Sequence, residues 1–324
     1  MSVKDDIAKI LEKNRGEFVS GQELAQRLGC TRGAVWKAVR TLQKQDFAIT
    51  AVTNKGYRLD EDCDVLSVGG VEKYLGKGAQ NVHIELLDST DSTNNVIRSY
   101  AQQGMPEGTV VIAREQTSGR GRLGRSFYSP QGTGLYMSIL LRPAAQIGRA
   151  VRITTCAALA VCDAIEAATG AKAGIKWVND VYLEGKKVCG ILTEASVSME
   201  SGGLDHAVLG IGLNVYEPQG GFPEEIADIA GAVTKNKTAD LKNKLAGGII
   251  GSFMRYYAEL EQGSFQKAYS KRLMWKGEEI YVISGENKTP CTLVDVDEEC
   301  RLCVRDSSGA SRLISSGEIS IRKR

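Results

Sequence analysis

The stretch from Ser20 to Ile49, SGQELAQRLGCTRGAVWKAVRTLQKQDFAI, admits few folds. Ser20 can cap a first helix that places Leu24 and Leu28 on one face, Gly29 supplies a turn, and Thr31 caps a second helix. In that second helix Val35, Val39 and Leu42 share one side while Lys37, Arg40 and Lys44 lie nearly opposite. One face therefore packs and the other offers cations, as a helix entering a DNA groove requires. FAITAVTNKGYRL follows as two short strand-like runs joined at Asn54-Lys55-Gly56, a hairpin wing with one more cation. A charged face alone would describe any solvated surface helix. Helix, helix and wing in that order point to DNA, with Thr31, Arg32, Lys37, Arg40, Lys44 and Lys55 as its contacts. One such module covers one half-site, so specific binding calls for a dimer.

The charge distribution agrees. Residues 1–60 hold 11 Lys and Arg against 7 Asp and Glu, whereas the remaining chain holds 30 against 32. The 324-residue chain is 42% hydrophobic and 25% charged, which excludes a disordered chain, and no apolar run reaches the roughly 20 residues of a membrane span. MSVKDDIAKILEKNRG carries no signal-peptide core, so the expected location is the cytoplasm, away from any membrane. The eight cysteines read as buried free thiols. Cys300 and Cys303 form the closest pair, but His83 and His206 do not complete a zinc site at comparable spacing.

Residues 60–67, DEDCDVLS, hold four acids in eight residues and read as a linker. Beyond it VHIELLD, TVVIAREQ, GLYMSILLR, GIKWVNDVYL, KVCGILTEA and AVLGIGLNV read as strands of a large mixed sheet. AVRITTCAALAVCDAIEAATG reads as an apolar helix ending at Gly170, and TADLKNKLAGGIIGSFMRYYAELEQG as another. EEIYVIS, TPCTLVDVD, CRLCVRD, SRLISS and EISIR are short alternating strands that suggest a small β-barrel. The expected fold is α+β and multidomain, divided at 1–63, 64–270 and 271–324.

Between two of those strands lies SGRGRLGRSFYSP, too rich in glycine for a helix and too charged to bury. GRGRLG satisfies the dinucleotide spacing, but no helix can begin in SFYSPQGTG and no acid follows to hold a ribose. A P-loop also fails, since no Gly-Lys-Ser/Thr follows. From Gln116 to Cys162 there are six arginines (120, 122, 125, 142, 149, 152) and no acid. Glycines that turn backbone N–H groups outward, with unneutralised guanidinium forks, suit a small anion. Such a loop is also a candidate switch, ordered by its ligand.

Two polar clusters accompany it. Ser92, Thr93 and Asn94 stand where a strand gives way to a helix, either capping that helix or reaching a ligand. KWVNDVYLEGKKVCGIL reads as a hairpin with Lys176, Asn179, Asp180 and Lys187, more polar groups than a buried strand pair tolerates.

These pieces in this order resemble the bifunctional biotin–protein ligases that are also biotin operon repressors. The motifs are DSTNN (91–95), QTSGRGRLGR (116–125), KWVND (176–180), KVCGIL (187–192) and GIGLN (210–214), and the likeness covers essentially the whole chain. The resemblance implies ATP-dependent formation of biotinyl-5′-adenylate and transfer of biotin to a lysine of the biotin carboxyl carrier protein of acetyl-CoA carboxylase. It also implies repression of biotin genes at operator DNA by an adenylate-bound homodimer, and an SH3-like C-terminal barrel for acceptor and nucleotide handling.

By position, Ser92, Thr93, Asn94, Gln116, Arg120, Gly121, Arg122 and Lys187 would contact biotin, and Gly119, Arg120, Arg122, Phe127, Lys176, Asn179, Asp180 and Asn214 the adenylate. Lys187, Arg120 and Arg122 would carry catalysis, with Mg²⁺ on the phosphates and Asp180 as its possible ligand. Val178 stands where the family commonly has proline, and Leu123 where some members have arginine. The alternatives are a biotin-responsive regulator that no longer catalyses, against which Lys187, Arg120 and Arg122 speak, and a lipoate ligase, against which the winged helix speaks.

Overall fold

The computed structural model describes residues 2–79, 81–143, 150–197, 204–315 and 319–323. Its first unit is a winged helix-turn-helix: α1 (Val3–Lys13), α2 (Gly21–Arg27), α3 (Arg32–Lys44), β1 (Ile49–Val52) and β2 (Gly56–Leu59). Helix α1, outside the elements read from the sequence, opens on a capping box between Ser2 and Asp5. Ser20 Oγ caps α2 through the Glu23 N–H at 3.0 Å, and Thr31 Oγ1 caps α3 through that of Ala34 at 3.1 Å. Ile7, Leu11, Leu24, Val35, Val39, Leu42 and Leu59 close the core. At the wing turn Gly56 has φ +108°, and a Cβ there would lie 2.1 Å from the Val19 carbonyl oxygen, so only glycine fits.

The acidic segment 60–67 is not a free linker. Cys63 and Leu66 are buried, and Asp64 accepts hydrogen bonds from the Tyr216 hydroxyl at 2.6 Å and the Lys242 backbone N–H at 3.0 Å. After it come α4 (Val68–Glu72) and a network joining α1 to the central unit. Glu12, with a fully buried side chain, meets Arg15 at 2.8 Å, Lys73 at 3.0 Å and Ser67 Oγ at 3.0 Å. Asp240 takes the other sides of the same two cations and the Tyr74 hydroxyl. Charges this buried persist because each finds several partners.

In the central unit come β3 (His83–Leu87), α5 (Thr93–Gln102), β4 (Thr109–Ala113), β5 (Gly134–Leu141), α6 (Ala150–Thr169), β6 (Gly174–Lys176), β7 (Asp180–Leu183), β8 (Lys186–Val197) and β9 (Leu204–Asn214). They form one mixed sheet ordered β3-β4-β5-β9-β8-β7-β6, parallel at β3/β4 and antiparallel elsewhere. α7 (Glu224–Ala227), α8 (Leu241–Ala258) and α9 (Gln266–Arg272) follow. α6 and α8 cover one face of the sheet. On the opposite face α5 covers only part, with Ile97 and Ala101 against Val111, Leu140 and Val208. The uncovered remainder of that face is where the cleft forms.

The C-terminal strands β10 (Glu279–Ser284), β11 (Asn287–Val296), β12 (Leu302–Asp306), β13 (Ser311–Ile314) and β14 (Ile319–Lys323) make an antiparallel sheet ordered β13-β12-β11-β10-β14. Its apolar side joins the central core. Trp177 donates its indole N–H to the Cys300 carbonyl at 3.0 Å, which ties this unit to the segment between β6 and β7.

Candidate functional site

Three glycines make the floor of the cleft. Register pairs Gly190 of β8 with Gly212 of β9, and Gly210 of β9 with both Ser138 of β5 and Leu192 of β8. With no side chains there, neighbouring groups fold down onto bare backbone. A Cβ on Gly212 would lie 2.6 Å from the Phe127 ring, and one on Gly210 would lie 2.2 Å from Asn94 Oδ1. Strand glycines of this kind mark a close approach. The sequence carried them inside GIGLN and KVCGIL, yet periodicity assigned them no role.

One rim of the open cleft is the start of α5. Ser92 is its N-cap residue but makes no side-chain cap bond, and Asp91 accepts from the Ser92 backbone N–H and the Asn95 side-chain amide. Thr93 gives its backbone N–H to Gln116 Oε1 at 2.9 Å, and its hydroxyl oxygen lies 2.7 Å from Ser138 Oγ. Asn94 turns inward: Oδ1 accepts from Ser138 at 2.6 Å and Nδ2 donates to Glu194 at 2.7 Å. Its amide is thus committed to orienting the rim. Ser138, a fully buried hydroxyl within the apolar run LYMSILL, escaped sequence reading, and its isolation there was the available signal.

Over the cleft the Gly-Arg segment folds as a short hairpin. Phe127 donates to the Gly119 carbonyl at 2.9 Å, Gly121 to that of Arg125 at 2.7 Å, and a single 3₁₀ turn at Arg122–Gly124 makes the tip. Its stem is zipped to the α5 rim, with Thr117 donating to the Thr90 carbonyl and Ser118 to that of Asp91, both at 2.9 Å.

The third wall is cationic. Lys187 Nζ lies 2.7 Å from Asp180 Oδ1, and Arg122 donates to Asn179 Oδ1 at 3.0 Å. Lys176 stands above the rings of Tyr182 and Trp275. Burial lowers its pKa, Asp180 opposes that, and Lys187, Arg322 and Arg125 push it down further. Burial likewise lowers that of Arg122, with Asp180 opposing and Arg125 adding to it. Several cations therefore crowd one carboxylate, an arrangement that an incoming polyanion relieves.

Twelve of the expected ligand residues line this cleft: Ser92, Thr93, Asn94, Gln116, Arg120, Gly121, Arg122, Phe127, Lys176, Asn179, Asp180 and Lys187. Gly119 and Asn214 are not on its wall. A Cβ on Gly119 would lie 2.4 Å from the Phe127 carbonyl oxygen, so it closes the hairpin stem, and Asn214 Nδ2 binds the Gly231 carbonyl at 3.0 Å.

The acid-free window also reads differently in three dimensions. Arg142 is spent on the Ala101 and Met105 carbonyls, with its backbone N–H on Glu107. Arg152 is buried 3.7 Å from Glu299, and Arg149 lies outside the described residues. Only Arg120, Arg122 and Arg125 of the six are on the wall among the described residues. No group of three or more His, Cys, Asp and Glu is placed to hold a metal among the described residues, and no helix there is long and apolar enough to cross a membrane. Thr31, Arg32, Lys37, Arg40, Lys44 and Lys55 are all exposed on the winged helix.

Comparison with known proteins follows the same division. The biotin/lipoate A/B protein ligase family matches residues 86–214, an HTH domain residues 3–58, and the biotin protein ligase C-terminal domain residues 277–322. The bifunctional ligase/repressor BirA of Bacillus subtilis is 32% identical, over 97% of this chain and 98% of its own. That of Bacillus spizizenii is 31% identical with the same coverage. Among solved structures, the biotin protein ligase of Aquifex aeolicus in complex with biotin and ATP is 30% identical with a TM-score of 0.64, covering 75% of this chain and 99% of that one.

Proposed function

Because this chain belongs to the biotin–protein ligases, in the form that also carries a DNA-binding repressor module, we propose that the cleft makes biotinyl-5′-adenylate and passes its biotin to a carrier-protein lysine. In the first step a biotin carboxylate oxygen attacks the α-phosphorus of ATP, the bond to the bridging oxygen breaks, and pyrophosphate leaves. In the second, the neutral amine of the acceptor lysine attacks the acyl carbon, gives its proton to solvent, and AMP leaves. ATP itself activates the acyl group, so positioning and charge carry the catalysis without a covalent enzyme intermediate.

The observation that carries this reading is the two-sided cleft: a glycine floor on which Phe127 and Asn94 seat directly, beside a wall of crowded cations. The rim of Ser92, Thr93 and Gln116, with Asn94 orienting them, suits the fused rings of biotin. Lys187 is set to hold the carboxyl–phosphate junction, Arg120, Gly121 and Arg122 to close over the adenylate, and Phe127 to face its base. Lys176 and Asn179 adjoin the phosphates. Gly119 and Asn214 support the loop and the segment beyond β9.

Mg²⁺ commonly sits on one or two carboxylates plus substrate phosphates; Asp180 is the one carboxylate on the described cleft wall, and Lys187 pairs with it at 2.7 Å, so the substrate phosphates would supply most of the ion's ligands. When bound with ATP the ion neutralises phosphate charge. The partners proposed are the biotin carboxyl carrier protein, operator DNA and a second copy of this chain when adenylate is bound.

Exchange of labelled pyrophosphate into ATP tests the catalytic half. We expect exchange that depends on biotin and does not respond to lipoate, and its absence would overturn the reading. A regulator that no longer catalyses would instead show no exchange yet keep ligand-dependent DNA binding. For repression, biotin with ATP should raise both dimer content and operator affinity, and equal DNA binding with and without them contradicts that half.

A further inference from the structure

We propose that Trp36 is a sequence-reading residue of the winged helix, placing its indole on the 5-methyl group of a thymine in the DNA major groove. This rests on the DNA-binding reading and adds a specificity contact to its cations. Trp36 lies in the first half of α3 and is 53% exposed, although an indole is among the side chains that gain most from burial. It packs into no core. Val35, Ala38, Val39 and Leu42 supply the buried face, and Trp36 stands on the other side with Arg32 one turn before it and Arg40 one turn after.

The surroundings decide what covers it. Helix α3 contains no acid, and Arg32, Lys37, Arg40 and Lys44 are all exposed, so the face suits a polyanion rather than a basic or neutral protein surface. The Arg40 guanidinium carbon lies 5.8 Å from the ring centroid of Trp36, which orients the indole beside a phosphate-seeking cation. Gly33, one turn earlier, adds no side chain to cover it, and a Cβ there would have only Thr31 Oγ1 within 4 Å, at 3.8 Å. Cations that meet phosphates give affinity without sequence information, and those that reach a base edge read guanine. An apolar ring among them adds a reading that cations do not supply, since the thymine methyl is the one apolar group on a base edge in the major groove.

The test uses the full chain with biotin and ATP. Wild type is first used to select a duplex from a random-sequence pool. Affinity is then measured for that duplex, for a scrambled one, and for versions with single thymidines replaced by deoxyuridine, which removes only the methyl. For wild type we expect loss of at least one methyl in each half-site to weaken binding about tenfold. Trp36→Ala should weaken the selected duplex similarly and become indifferent to that methyl, while Trp36→Phe keeps part of the sensitivity. Scrambled-duplex affinity, its salt dependence and biotin-dependent exchange should stay at wild-type values.

A Trp36→Ala chain with undiminished selected-duplex affinity, or a wild type indifferent to every methyl, overturns the proposal while leaving DNA binding intact. A wild type that enriches no duplex and shows no salt-dependent DNA affinity removes the DNA-binding reading as well.

Discussion

The ring of Phe127 rests on the backbone of Gly212, so close that a Cβ at that position would approach it to 2.6 Å. The contact joins the Gly-Arg hairpin to the cleft floor, and a Cβ on Gly190, across the strand pair, would lie 3.3 Å from the same ring.

Gly212→Ala should therefore lift the ring and fill the floor at once. The expected outcome is a KM for ATP raised about tenfold or more through the displaced Phe127 ring, and a fall in stability of about 1 to 3 kcal/mol from overpacking. Steady-state kinetics with each substrate varied, together with a denaturant melt, decide it. An unchanged KM for ATP would show that Phe127 does not face the base.

Arg122 spans from the hairpin tip to Asn179 at 3.0 Å. Arg122→Ala removes a charge-assisted contact to the adenylate of the kind that contributes about 1.5 to 3 kcal/mol, so adenylate should leave about ten to a hundred times faster. Stopped-flow release of preformed adenylate measures this, and an unchanged dissociation rate rejects the role.

The lowered pKa of Lys176, caused first by burial and then by the neighbouring cations, gives a pH signature. ATP favours the protonated amine, so the bound pKa exceeds the free one. Affinity should hold at pH values below the free site's lowered pKa and decline as pH rises through it, before the ordinary lysine range near about 10.4. Lys176→Met should bind ATP more weakly at neutral pH and lose this decline. A decline that persists unchanged in the variant assigns it to another group.

Between α1 and the central unit, Glu12 pairs with Arg15 and Lys73 out of solvent. Glu12→Ala leaves two cations short of a partner and should cost about 3 to 5 kcal/mol, read as a lower denaturation midpoint, with biotin-dependent exchange retained below the melt. Burial acts to raise the pKa of Asp240, but bonds from Tyr74, Asn243 and Lys73 and the charge of Arg15 outweigh it, so the folded value is lowered. The stabilisation from Asp240 is then full above its unfolded pKa and lost as pH falls through the folded one. Acid melts in which Asp240→Asn matches wild type at all pH values would contradict this.

Caps and hydrophobic spacing act within a few residues, so Ser20 and Thr31 as caps, the buried stripe of α3, the wing turn at Gly56, the strand runs and the polar clusters at 92–94 and 176–187 were legible from neighbours in the chain, while Gln116, Gly121 and Phe127 were reached through the family resemblance. Register and partners far away in sequence were not legible. Gly190, Gly210 and Gly212 become one floor because antiparallel pairing sets them side by side. Asn94 is fixed at the cleft rim because Ser138 of β5 and Glu194 of β8 converge on its amide.

The same reason explains the corrections. Residues 60–67 read as a linker, yet Asp64 accepts from Tyr216 and the Lys242 amide, and Arg142, read as unneutralised, donates to the Ala101 and Met105 carbonyls. A charged side chain takes its role from whatever desolvates or pairs it, and in a mixed sheet with crossing connections those groups are brought by folding rather than by adjacency.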